Sequence, residues 1–299
     1  MPAGAPVDYL ACVHRAMDHV RANLAGPLPL EVVARAAGFS PFHFHRVFKL
    51  LMGETLHQFV QRLRLERALS LMSRAQASSL TEIALDCGFG SSSDFSRAFK
   101  QEYGVPPSRF DMDGLRDGRR AELVALLEKA GSRPRLERLP LGENPDAFRV
   151  RLRDLKPRTL AYLRVHNPFA GNGVMEAAKS LVAWAEAHGV AEGKWYGYMW
   201  EDPDVTALEN CRYDVAVEVD QIHPQKDLGG IHFPAMQVAE VELSGDIALE
   251  LRALDWLYGT WLPHSGRAPA NLPCFEAWKG RPFQHGYEHF ELAVHLPLE

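Results

Sequence analysis

Two groups of side chains in this chain carry recognisable chemistry. The first is polar and cationic. It comprises Phe42, His45, Arg46 and Lys49 in one stretch, and Ser92, Ser93, Ser96, Arg97 and Lys100 in another. Hydroxyls, an imidazole and cations are donors and acceptors suited to base edges and phosphates. An exposed ring such as Phe42 beside Arg46 is costly in water unless it meets a partner, for instance a thymine methyl. The second group is aromatic with one carboxylate: Tyr198, Trp200, Tyr258, Trp261, Trp278 and Glu291. A carboxylate among rings pairs with a cationic or amine-bearing ligand, and cation–π attraction adds about 0.5–2 kcal/mol. Enzymatic signatures are scarce: there is no P-loop, no GxGxxG after a strand, no HExxH and no GxSxG. Of the 13 histidines only His43 and His45 sit close together. Positions i and i+2 on a helix point apart, so neither a metal nor a cofactor is expected.

The elements that position the first group repeat. Ala37-Gly38-Phe39 recurs as Cys87-Gly88-Phe89, and after one inserted residue Ser40, Phe44, Arg46, Phe48, Lys49, Gly53 and Phe59 recur as Ser91, Phe95, Arg97, Phe99, Lys100, Gly104 and Phe110. Chance does not give so many matches. Each copy reads as helix, tight turn, helix. In the first, Leu30–Ala37 is helical, Gly38 takes a left-handed turn, Ser40 caps the next helix and Pro41 fits its first turn. Phe44, Val47, Phe48 and Leu51 then form one buried stripe. In the second, a helix runs from Leu80 or Thr81 through Cys87, Gly88 turns, and Phe95, Ala98, Phe99 and Tyr103 line the inside. Leu56–Met72, with Arg62, Arg64 and Arg67, reads as a long helix that sets the separation of the copies. Two such units place two helices in successive major grooves, about 34 Å apart.

On these residues, 1–112 resembles the double helix-turn-helix DNA-binding domain of AraC/XylS-type transcription regulators. The stretches that carry the likeness are VARAAGFSPFHFHRVFK (Val33–Lys49), FVQRLRLERALSLM (Phe59–Met72), IALDCGFGSSSDFSRAFK (Ile83–Lys100) and GVPPSRF (Gly104–Phe110). The resemblance implies base or phosphate contacts for the first group of side chains. The second recognition helix is serine-rich where members often carry longer polar side chains, which points it toward phosphate.

Beyond a connector at 113–147, rich in glycine and proline with one short amphipathic piece at Ala121–Ala130, the periodicity changes. Strand-like Thr159–His166, helical Met175–His188 and strand-like Trp195–Trp200 and Cys211–Val219 come first. Met236–Leu243, helical Ile247–Leu262, Phe275–Trp278 and His289–Leu296 repeat that order. The expected architecture is therefore multidomain: an all-α double helix-turn-helix domain, then an α+β domain of two strand-helix-strand-strand repeats with a crevice between them. On the last strand Phe290, Leu292, Val294 and Leu296 share one face, Glu291, Ala293 and His295 the other. Small Ala293 beside Glu291 leaves space for a ligand.

Residues 148–299 resemble the GyrI-like ligand-binding domain, also found in Rob-type and multidrug-sensing regulators. RYDVAVEV (Arg212–Val219), GGIHFPAMQVAEVEL (Gly229–Leu243), LDWLYGTWLPHSG (Leu254–Gly266) and FELAVHLPL (Phe290–Leu298) carry it. The resemblance implies a pocket between the repeats with a buried carboxylate on the last strand. That position falls on Glu291, with Asp214 as its pseudo-symmetric mate. Some stand-alone GyrI-like domains resemble hydrolases that use such a carboxylate.

Length and composition set the outer bounds. At 299 residues, 46% hydrophobic and 24% charged, the chain is ordinary globular protein with room for two cores. No apolar run spans a bilayer, and Met1–Leu10 lacks a basic segment followed by an apolar one, so neither a membrane partner nor a leader is expected. Four scattered cysteines fit a reducing cytoplasm. The net charge of −5 hides an asymmetry: residues 1–145 hold 19 Lys+Arg against 16 Asp+Glu, and residues 146–299 hold 14 against 22. The acidity belongs to the second half. The expected partners are double-stranded DNA, a small, amphipathic or cationic effector, and RNA polymerase, with no enzymatic role. The alternatives are a second half that makes only protein contacts, or one that acts as a hydrolase with Glu291 as base.

Overall fold

The structure, a computed structural model, describes residues 9–74, 79–129, 139–222, 228–270, 272–286 and 289–299. It divides into two units, with the boundary between Leu115 and Arg116 inside a helix.

The first unit is built from helices α1 (Tyr9–Ala22), α2 (Leu30–Ala37), α3 (Pro41–Met52), α4 (Leu56–Arg74), α5 (Leu80–Asp86) and α6 (Ser92–Tyr103). In each copy of the repeat a glycine makes the turn. Gly38 and Gly88 have φ of 79° and 85°, a region where a Cβ is strained. At Gly88 a Cβ would also lie 2.7 Å from the Leu24 carbonyl oxygen, so the second turn presses against the end of α1. Arg64 on α4 holds that same loop, donating to the carbonyls of Leu24 at 3.0 Å and Gly26 at 2.8 Å. Ser91 caps α6 by accepting the Asp94 N–H at 3.1 Å, and Ser79 and Glu82 form a capping box on α5. Ser40 occupies the cap position of α3 but its hydroxyl makes no capping bond, contrary to expectation. The apolar stripe also differs: Phe44 and Phe48 are fully buried, whereas Leu51 is exposed. In the last turn of α3 it is Met52, not Leu51, that packs against the core.

Helix α7 (Met112–Lys129) replaces the short connector piece expected at Ala121–Ala130. Gly114 and Gly118 look like breakers in sequence, yet the helix runs through both. Its start is held by Asp111, whose Oδ1 accepts the Gly114 N–H at 2.9 Å. Residues 130–138 of the expected connector, Gly131 and Pro134 among them, lie outside the described residues.

Among the described residues one sheet holds eight strands: β1 (Arg151–Leu155), β2 (Arg158–His166), β3 (Trp195–Met199), β4 (Arg212–Val219), β5 (Gly229–Phe233), β6 (Met236–Gly245), β7 (Phe275–Trp278) and β8 (Phe290–Leu298). Helix α8 (Gly173–Ala187) follows β2. Helix α9 (Ile247–Trp256) follows β6 and continues through a wider π turn at Leu257–Trp261. The sheet order is β1-β6-β8-β7-β3-β4-β2-β5. The two expected repeats are there, β2-α8-β3-β4 and β6-α9-β7-β8, meeting at the central β3–β7 pair. Each gains an edge strand donated by the segment before the other repeat: β1 pairs with β6, and β5 borders β2. Helix α8 packs on β2 and β4, and α9 on β6 and β8. Alternation along β3 and β7 assigns side chains to two faces. Trp195, Gly197, Glu276 and Trp278 share one face, and Tyr196, Tyr198, Phe275 and Ala277 the other.

Candidate functional sites

On the first unit the polar face of α3 is exposed, and that of α6 in part. Phe42 is 65% exposed, and His45, Arg46 and Lys49 are exposed around it. The Arg46 guanidinium carbon lies 4.8 Å from the Phe42 ring centroid. The pair is a preformed flat cationic surface: the ring orients the guanidinium and shields one side of it from water. On α6, Ser93, Arg97 and Lys100 are exposed, whereas Ser92 and Ser96 are half-buried. Arg97 is splinted by Asp94 at 2.5 Å, and Ser91 donates to the other oxygen of Asp94 at 2.9 Å. The two recognition helices therefore offer different surfaces, one arginine stacked on a ring and one tied to a carboxylate.

In the second unit the expected effector residues do not assemble into one pocket. Tyr198 and Trp200 lie on the face away from α9, with Tyr198 buried and Trp200 half-buried. Tyr258, Trp261 and Trp278 pack in the core under α9. Glu291, expected as the buried carboxylate, is 44% exposed in its side chain and lies 3.9 Å from His289. It sits at the start of β8, opposite Ser244. Its pseudo-symmetric mate Asp214 is buried, but both its oxygens are taken by Arg164, at 2.7 and 2.6 Å, and by the Trp200 indole N–H at 2.6 Å.

The carboxylates of the helix-covered face are Glu250, which is buried, and Glu276, which is half-buried. Glu276, on β7, accepts the Tyr213 hydroxyl at 2.5 Å and shares a hydrogen bond with Glu250 on α9. The Tyr213 hydroxyl and the Glu276 carboxylate come together over Gly197. A Cβ there would overlap both the Tyr213 hydroxyl and the Glu276 carboxylate, so only glycine lets them close over the strand. Burial pushes the Glu250 carboxyl well above the usual carboxylate range, and the neighbouring Glu276 pushes it further. Burial also raises Glu276, while donors from Tyr213, Glu250 and Trp278 pull it back. Tyr213 is raised well above its ordinary value, by burial first and then by Glu276. The two carboxyls are coupled, so a charge on Glu276 favours the protonated form of Glu250. A carboxyl pair of this kind can accept a cation or act as an acid–base couple.

Sequence reasoning passed over this cluster, although a signal was present. Glu250, Ala253 and Leu257 follow helical spacing, which sets a carboxylate on an apolar stripe. Glu276 alternates with Trp278 on the inner face of its strand.

Comparison with known proteins gives both halves a family. Residues 15–112 match a helix-turn-helix domain model, and residues 148–299 match the GyrI-like small molecule binding domain. The chain is thus a DNA-binding transcription regulator of AraC type joined to a GyrI-like domain, and it belongs to the GyrI-like family across its second half. Its relatives through the first half include the multiple antibiotic resistance protein MarA of Escherichia coli, 29% identical over 103 residues, which are 34% of this chain and 80% of MarA. PqrA of Proteus vulgaris, a probable transcription factor, is 35% identical over 88 residues, 29% of this chain and 70% of PqrA. LumQ of Photobacterium leiognathi, a probable transcriptional regulator, is 34% identical over 93 residues, 31% of this chain. The chain spans just over a third of the length of LumQ. Among the described residues no helix is long and apolar enough to cross a membrane.

Proposed function

We propose that this protein is a cytoplasmic, ligand-responsive transcription regulator. Residues 1–112 bind promoter DNA through α3 and α6, residues 113–147 connect, and residues 148–299 sense a small amphipathic or cationic molecule. The observation that carries the sensing half is the Glu250–Glu276 pair, set among apolar side chains under α9. A fold keeps two carboxyls against each other in an apolar core at a cost in stability, and a cationic ligand turns that cost into affinity. The rings of Trp256 and Trp278 on the same face supply apolar and cation–π contact. In DNA binding, Arg46 reads a base edge, Phe42 meets an apolar base edge, and His45, Lys49, Ser92, Ser93, Ser96, Arg97 and Lys100 position the phosphates.

The test is fluorescence anisotropy of genomic promoter fragments recovered by footprinting, with and without a library of amphipathic cations. An active compound shifts operator affinity or transcription in wild type and has no effect in Glu276→Gln. If no compound shifts either, the second half serves protein contacts, with RNA polymerase as the first candidate to assay. The coupled carboxyl pair also favours a second reading, hydrolysis of a small molecule. Turnover of a bound ligand that vanishes in Glu276→Gln and persists in Glu291→Gln supports it.

A further inference from the structure

We propose that the opposite face of the same sheet holds a second ligand subsite, for an organic anion, with the Arg158 guanidinium as its receptor. Arg158 begins β2 and is only 5% exposed. Its guanidinium carbon lies 5.3, 5.2 and 4.9 Å from the ring centroids of Tyr196, Phe233 and Phe275. Nη2 donates to the Tyr198 hydroxyl at 3.0 Å. Nε and Nη1 are buried and have no hydrogen-bond partner among the described residues.

The charges around it leave it out. Asp214 is held by Arg164. Glu240 pairs with His295 at 3.0 Å and Arg153 at 3.8 Å. Glu218 accepts the Tyr196 hydroxyl at 3.2 Å and faces Lys194 at 4.0 Å. Glu242 bridges Arg151 and Lys279. Each carboxylate has a cation of its own, and none of these ion pairs includes Arg158. The guanidinium is a planar cation with five N–H donors in a fixed fork. Rings on three sides stabilise it in part, but they accept nothing from Nε or Nη1. A flat anionic head group such as a carboxylate accepts from both nitrogens in parallel, which neither the rings nor the single tyrosine hydroxyl can do. The aromatic walls favour a head group carried on a flat or apolar body. Half-buried Trp200, Ile231, Met236 and Leu272 rim the cluster and are the side chains a ligand would displace to enter.

This subsite is chemically the reverse of the Glu250–Glu276 cluster and does not depend on it, because alternation along β3 and β7 puts the two on opposite faces. The test titrates 2-naphthoate and 2-naphthamide, equal in shape and different in charge, into the full-length protein, followed by tryptophan fluorescence and calorimetry. The acid is expected to bind about tenfold or more tighter than the amide. That preference is expected to disappear in Arg158→Gln, to fall in Arg158→Lys, which keeps the charge but loses the fork, and to survive in Glu276→Gln. Arg158→Met is expected to fold with stability equal to or above wild type, since a buried charge without a counter-ion gives way to a well-packed thioether. Equal binding of acid and amide, absence of binding at millimolar concentration, or acid binding unchanged in Arg158→Gln each overturns the proposal. So does strong destabilisation by Arg158→Met, which would make the arginine a packing element. If Arg158→Gln fails to fold, the acid–amide comparison on wild type and Arg158→Lys decides.

Discussion

Gly197 is the position on which the Glu250–Glu276–Tyr213 cluster turns, and Gly197→Ala tests it directly. The added methyl would occupy the space of the Tyr213 hydroxyl and of one Glu276 oxygen. Both must move, which breaks the 2.5 Å bond between them. A hydrogen bond to a charged or partly charged acceptor is worth about 1.5–3 kcal/mol, and forcing a methyl into a packed core costs about 1–3 kcal/mol. The expected loss is therefore about 3–5 kcal/mol, read as a lower urea midpoint at unchanged slope. The companion is Gly197→Ala placed in a Tyr213→Phe background. With the hydroxyl gone, part of the overlap is gone, so the alanine should cost about 1–2 kcal/mol less there than in wild type. Ligand response should be lost in Gly197→Ala whether or not the domain stays folded. A cost below about 1 kcal/mol, or the same cost in both backgrounds, would refute the geometry from which the site is built.

Four further outcomes are expected. Arg46→Ala should weaken specific DNA binding by about 1–3 kcal/mol and relax discrimination at one base step; an equal loss on all sequences in anisotropy would assign Arg46 to phosphate alone. Glu250→Gln should gain stability over wild type as pH rises. The unfolded chain releases the Glu250 proton near 4.5 while the folded chain retains it, so wild type loses stability above that pH, by about 1.4 kcal/mol per unit of upward shift. Denaturation at pH 4 and pH 8 that shows a constant gap between the two proteins would contradict this. Cys87, whose thiol burial pushes up to about 12, should resist thiol-specific reagents at pH 8 in the folded protein and react at once in urea; rapid labelling of the native state counts against the packing of α5. Arg120→Ala should cost about 3 kcal/mol in the second unit, because Arg120 on α7 is a buried cation held by Asp255 at 2.6 Å and Asp204 at 3.3 Å. Arg116, 3.8 Å from Asp204, relieves only part of that loss, so a midpoint unchanged from wild type would show that α7 is not anchored there.

The parts of this molecule that were legible in its sequence are those where one face must be apolar and the other not. Helices α2, α3, α5 and α6 announce themselves through the duplicated Gly-Phe turns and phenylalanine stripes, and the polar faces follow from what remains. Strands β2, β4, β6 and β8 are long and regular enough to show a period of two. β1, the segment RLRDL, and β5, the segment GGIHF, were not legible, because edge strands are half in water and need no alternation. Helix α7 was under-read for another reason: Gly114 and Gly118 lower helix propensity by about 1 kcal/mol each, yet capping by Asp111 and the buried Arg120 outweigh them. The misplaced carboxylate has the same kind of cause. Glu291 and Glu276 both follow an alternating strand, and sequence alone does not say which face of the sheet a helix covers. That information lies in α9, which reaches β7 only through the tertiary fold.

The four residues of β7 have a consequence for how the gene can change. Phe275 and Ala277 serve the arginine side of the sheet, while Glu276 and Trp278 serve the helix side. A substitution here alters one ligand chemistry and spares the other. Loss or gain of a single codon would instead shift the strand by one place and turn every side chain over, carrying the acid to the cationic face and the phenyl ring to the acidic one. Both binding chemistries would then fail together, so this strand should admit point changes over evolutionary time and no change in length.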